Sequence, residues 1–111
     1  MSTVLAAVFA KDAETGQYVF YNSEAETLFG LSQEQVIGHT SNDLYSSDTA
    51  AEFLEQDARA RQAGPAGVTS EHTFFRPDGA KRFVRIKKVL VTDGDVNDKQ
   101  YVLGGGRGCD R

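Results

Sequence analysis

The sequence predicts an α+β fold, a five-stranded antiparallel sheet with short helices packed on one face. Two strand-like runs come first, a block of capped helical segments follows, and three more strand-like runs close the chain. Strands grouped on either side of a helical block and joined by hairpin-length turns give one antiparallel sheet, with the helices segregated to one face. The first run, VLAAVFAK at residues 4–11, is apolar with little alternation. That pattern suits a central strand covered on both faces.

Each element follows from its own residues. Residues 12–16 are polar and end in Gly16, a turn into the strand YVFY at residues 18–21. Asn22-Ser23 breaks the extended pattern, and Ser23 with Glu26 reads as an S-x-x-E capping box. Ala25, Leu28 and Phe29 give this helix its apolar face, and Gly30 supplies the left-handed residue that ends it. Ser32 with Gln35 forms a second box, followed by the apolar pair Val36 and Ile37 and closed by Gly38. Residues 39–46 are polar apart from Leu44 and Tyr45, one irregular helical turn.

Ser47 or Asp48 then caps the longest helix, which runs to Ala63. Phe53, Leu54 and Ala58 are expected on its buried face, with Ala50 and Ala51 one turn earlier. Glu55 with Arg59 and Asp57 with Arg61 read as i,i+4 ion pairs on its solvated face. Pairs of that kind are worth about 0.2–0.5 kcal/mol each. Gly64-Pro65 ends the helix. Strands follow at residues 68–75, 82–92 and 99–103, with turns at Pro77-Asp78-Gly79 and residues 93–98. Gly104-Gly105-Gly106 lacks the Lys-Ser/Thr and the following helix of a phosphate-binding loop, so it reads as a flexible strand exit.

Composition excludes several classes. A chain of 111 residues fits one domain, and 40% hydrophobic with 25% charged residues is ordinary for a globular one. A net charge of −4 argues against nucleic acid as a main partner. No apolar run reaches membrane-spanning length, so no membrane contact is expected of this domain, whether or not its parent protein is membrane-anchored. The single Cys109 excludes an internal disulfide and a zinc site of paired cysteines, and suits a reducing cytoplasm.

The run Asn22-x-x-Ala25-x-x-Leu28-Phe29-Gly30-x-Ser32-x-x-Gln35-Val36-Ile37-Gly38 resembles the core signature of PAS domains, the small sensory modules of signalling proteins. Arg76-Pro77-Asp78-Gly79 stands where that family has a hairpin between its third and fourth strands, and the resemblance covers residues 4–106. It implies the spatial strand order 2-1-5-4-3, which pattern alone does not give. It also implies that the chain is a module of a larger signalling protein, whose effector is a domain such as a histidine kinase or diguanylate cyclase. The tail departs from the family: Asp110 stands where many members begin an Asp-Ile-Thr run, but Ile and Thr are missing. The chain then either is a fragment ending there or passes its signal through another surface.

Catalysis finds little support in the residues. The carboxylates fall in turns and on helix faces, where solvated surface is the simpler reading, and no G-x-S-x-G elbow is present. Members of the family that bind haem carry a histidine on or beside the long helix; here that helix has none, and His39 and His72 read as structural. Members that bind flavin covalently need a cysteine inside the fold, whereas Cys109 lies in the tail. Neither haem nor covalent flavin is therefore expected; an unidentified small organic ligand remains compatible. The resemblance places such a ligand between sheet and helices, where Phe20, Leu28, Phe29, Ile37, Leu44, Phe53, Leu54, Phe74, Val84, Ile86 and Val102 are the candidate walls. Tyr45 and His72 are the candidate polar contacts, few on an apolar wall.

The expected function is a non-enzymatic sensory module that binds a small ligand or a protein partner and relays a change of packing to its effector. One alternative is a cofactor-free docking domain with a filled core; another is a small cone-shaped α+β enzyme. Val89 and Val91 share a strand face with Arg85 and Lys87, and should look away from the helices as part of a weak homodimer contact.

Overall fold

The computed structural model describes residues 6–95 and 98–109. Strands β1 (Ala7–Asp12) and β2 (Tyr18–Tyr21) lead into helices α1 (Ser23–Phe29), α2 (Gln33–Val36), α3 (Ser41–Leu44) and α4 (Ser47–Ala63). A single 3-10 turn (Gly64–Ala66) precedes β3 (Val68–Phe75), β4 (Lys81–Asp93) and β5 (Lys99–Gly108). The sheet order is β2-β1-β5-β4-β3, with every neighbouring pair antiparallel. The expected fold and strand order are both present. Val4, Leu5 and Asp110, which entered the sequence reading, lie outside the described residues.

Local chemistry explains the turns. Asp12 Oδ1 accepts from the backbone N–H of Glu14 at 2.8 Å and of Thr15 at 3.1 Å, closing the β1–β2 turn. The β3–β4 hairpin closes with Asp78 Oδ1 accepting from Ala80 N at 3.0 Å, and Gly79 adopts φ 88°.

Helix α1 starts one residue earlier than expected. The cap is Asn22, whose Oδ1 accepts from Ala25 N and from Val8 N, both at 2.9 Å, so one side chain ends β2, starts α1 and ties both to β1. Ser23 is thereby the first helical residue, and the Ser23–Glu26 box does not form. Glu26 instead accepts from Gln33 N at 2.6 Å. The Ser32–Gln35 box is present as expected, and Gly30 ends α1 at φ 75°. For α4 the cap is Ser46, again one residue earlier than expected.

The larger correction is in β5. Gly104, Gly105 and Gly106 are not a flexible exit but continue the strand between two neighbours. Gly104 lies opposite Phe9 on β1 and Lys88 on β4, and Gly106 opposite Ala7 and Ile86. Hydrogen bonding to strands on both sides holds the extended conformation that glycine alone would not favour.

Candidate functional site

The space between sheet and helices is filled with rings. Phe29 stacks on Phe74 with centroids 5.4 Å apart, and meets Phe9 at 5.9 Å, Tyr21 at 6.3 Å and Phe53 at 6.5 Å. Phe53 in turn meets His72 at 4.9 Å and Tyr45 at 5.1 Å, mostly edge to face, the arrangement that ring quadrupoles favour. Of the expected wall residues, Phe29, Phe53, Phe74, Val84, Ile86 and Val102 are buried, Leu28, Leu44 and Tyr45 pack against them, and Leu54 is half-buried.

Phe20 and Ile37 do not belong to this wall. Val19 is an extra residue in β2, because Ala10 pairs with Phe20 while Lys11 pairs with Tyr18. That bulge interrupts the alternation, so Tyr18 and Tyr21 both point inward and Phe20 is left 48% exposed on the outer face. Ile37, 40% exposed, bridges Tyr18 along the outer edge of β2, where its backbone covers an otherwise open strand.

Of the expected polar contacts, Tyr45 has its hydroxyl pKa raised, by burial first and by the nearby Tyr18 and Tyr21 next. His72 is buried, with Nε2 2.8 Å from Gln56 Oε1. Gln56 Nε2 already donates to Ile86 O at 2.8 Å, so His72 Nε2 carries the proton and donates to Gln56. Burial, and then the Lys88 charge, lower the His72 pKa. The pair pins β3 and β4 to α4.

The sequence reading missed the other buried polar group. Lys11 Nζ lies 2.7 Å from Asp57 Oδ2 and donates to Ser41 Oγ at 2.8 Å; Lys88 Nζ lies 2.5 Å from Asp57 Oδ1. All three ions are buried, Lys11 and Lys88 at 1% exposure and Asp57 at 3%. Asp57 is thus not on a solvated face paired with Arg61, and Arg59 reaches Ser70 on β3 at 2.8 Å. Burial would raise the Asp57 carboxyl, but the Lys88 and Lys11 charges outweigh it and hold the pKa below the usual carboxylate value. Two ammoniums share one carboxylate, and the excess charge is relieved at Lys88. Burial, and then repulsion from Lys11, push that pKa down to about 8 against the attraction of Asp57.

The signal was in the spacing. The buried residues of α4 are Ala50, Phe53, Gln56, Asp57 and Ala60, steps of three and four that carry Gln56 and Asp57 on the Phe53 face. Period two does the same for Lys11 after Ala7 and Phe9, and for Lys88 after Val84 and Ile86.

On the outer face, Phe20, Ala10, Leu103 and Val89 stand in register across four strands as an apolar row. Toward the β1 start the same face becomes basic. A shallow trough of about 390 Å³ there is lined by Arg85, Lys87 and Arg107, with Ala6, Thr69, Gly105 and Gly106. A separate cleft of about 550 Å³ holds Asp12, Glu14, Arg61, Asp98 and Lys99, partly neutralised by the Asp12–Lys99 pair at 2.9 Å.

This layout of sheet, inserted helices and filled interior is that of a small α+β signalling module. The PAS fold family model matches residues 1–107, and the chain belongs to the PAS family. No curated protein matches it. Among solved structures, a PAS domain from Colwellia psychrerythraea is similar with 23% identity and TM-score 0.75, over 96% of this chain and 87% of that one. The PAS-B domain of Drosophila melanogaster Cycle, solved with bound ethylene glycol, has 14% identity and TM-score 0.72 over 93% and 99%. A PAS domain from a two-component sensor histidine kinase has 16% identity and TM-score 0.71 over 94% and 85%. Among the described residues, no helix is long and apolar enough to cross a membrane.

Proposed function

We propose that this chain is a cofactor-free relay module that signals through the outer face of its sheet, where it pairs weakly with a second copy. The apolar row Phe20–Ala10–Leu103–Val89 carries this reading, because Phe20 and Leu103 in it are exposed and Val89 is half-buried, while the rings inside already pack against one another. A two-fold contact on this row buries its apolar side chains. Arg85 and Lys87 then meet like charges across the axis, which keeps the contact weak. The resemblance to domains of a two-component sensor histidine kinase and of the blue-light activated histidine kinase of Erythrobacter litoralis favours a kinase as effector. The Lys11–Asp57–Lys88 cluster is structural in this reading, not catalytic, since its side chains are all but fully buried and its charges are directed at one another.

Val89→Glu and Val91→Glu should each weaken self-association by at least about tenfold in sedimentation equilibrium, with unchanged circular dichroism. A wild-type chain that stays monomeric at high concentration, or variants that associate like wild type, would refute the dimer.

A second reading keeps a small ligand between sheet and helices. One observation favours it: the buried Tyr21 hydroxyl has only the Tyr45 hydroxyl beside it, a polar pair on an aromatic wall. A buried hydroxyl pair short of well-formed hydrogen bonds is costly, and a ligand oxygen would complete it. Native mass spectrometry of the purified chain decides between the two readings, a retained small mass supporting the ligand.

A further inference from the structure

We infer that the basic end of the outer sheet face is a docking site for an acidic segment of a partner protein. The inference rests on the sheet face being this chain's contact surface, and adds what the partner must carry. Arg85 and Arg107 lie directly opposite each other on β4 and β5, a like-charged pair that destabilises a sheet. Glu71 on β3 answers Arg85 at 2.7 Å. Among the described residues no carboxylate answers Arg107 or Lys87.

Three cations against one carboxylate therefore surround the trough, in a chain whose net charge is −4. The backbone of Gly105 and Gly106 lines it, and Gly105, whose side-chain position faces outward, leaves nothing there to hold a partner away from the cations. Immediately beside it lies the apolar pair Val89–Leu103. A segment that fits both halves carries carboxylates flanked by aliphatic side chains. Carboxylates there would relieve the Arg85–Arg107 repulsion, a gain that an uncharged or basic segment does not offer.

The test is fluorescence anisotropy on the folded chain with a labelled amphipathic peptide of Glu and Leu. A peptide with every Glu replaced by Lys and a single-stranded oligouridine serve as comparison probes. The Glu peptide should bind, lose affinity as salt is raised, and bind about tenfold more weakly to the double variant Lys87→Glu/Arg107→Glu. Both side chains are exposed, so the variant should fold; circular dichroism confirms this. Equal binding of the Lys peptide, stronger binding of the oligouridine, or undiminished binding by the double variant would overturn the inference. Loss of self-association in the double variant without loss of peptide binding would also overturn it, assigning the basic end to a second copy. If Val89→Glu leaves self-association unchanged while the Glu peptide still depends on Lys87 and Arg107, the dimer falls and the acidic partner stands.

Discussion

Asp57→Asn should destabilise the domain by about 3–5 kcal/mol, the cost of leaving buried charge without its counterion. Asn keeps the size of Asp57 but removes the negative charge, while Lys11 and Lys88 stay in the interior at 1% exposure. Since whole domains are stable by about 5–15 kcal/mol, the variant sits near the edge of folding. Lys88→Met is the contrasting change. It removes the excess positive charge, keeps the Lys11–Asp57 pair at 2.7 Å, and places an apolar chain beside the rings of Phe9 and Phe53. It should be neutral or stabilising, and should recover part of the loss when combined with Asp57→Asn. Urea denaturation measures all three. An Asp57→Asn variant within about 1 kcal/mol of wild type would show that the cluster is not held as described.

The same cluster sets a pH dependence. Lys88 titrates at about 8 in the folded chain and at its ordinary value of 10.5 when unfolded. Between those values the unfolded chain binds more protons, so stability rises as pH increases from about 8 toward 10.5, by up to about 3 kcal/mol. Below 8 both states hold the proton, and the cost of burying it is paid in full. Lys88→Met should flatten this rise, and a wild-type chain whose stability falls steadily from pH 8 to 10 would contradict it. Asp57 acts in the opposite range: its lowered pKa gives stability that is present above 3.8 and lost as pH falls through the folded value.

The fold was legible because strand and helix periods, two capping boxes' worth of polar residues and an Asp-Gly turn all fall in the right order. The errors have specific causes. Ser23 and Glu26 have box spacing, but Asn22 takes the cap because its amide also bonds β1, a partner fourteen positions away that no local pattern reveals. The bulge at Val19 moves Phe20 from the inner to the outer face, and nothing in YVFY marks an extra residue. Asp57 was assigned to the surface by its residue type, although its spacing from Phe53 placed it inside. For the site, the wall residues were largely legible as buried positions. The way their rings interlock was not, because that depends on side chains from five separate elements.

Gly104 shows how a residue with no side chain can decide packing. A Cβ at Gly104 would overlap the Phe9 ring, which lies across it from the neighbouring strand. Phe9 has no free direction to retreat: it meets Tyr18 at 5.8 Å and Phe29 at 5.9 Å, with Lys88 Nζ 5.7 Å above its face. Gly104→Ala should therefore destabilise by about 1–3 kcal/mol, the usual cost of overpacking. That outweighs the roughly 0.5–1 kcal/mol that alanine gains over glycine inside a strand. The neighbouring Gly105→Ala is the control, because its Cβ would point to the outer face and come no nearer than 3.9 Å to Ala7 O. It should be neutral or slightly stabilising. Phe9→Ala alone should cost about 3–5 kcal/mol. Combined with Gly104→Ala it should cost less than the sum, since the new methyl then enters space that the ring has left. Strict additivity in that cycle, or equal effects of alanine at Gly104 and Gly105, would mean that Phe9 does not rest on Gly104.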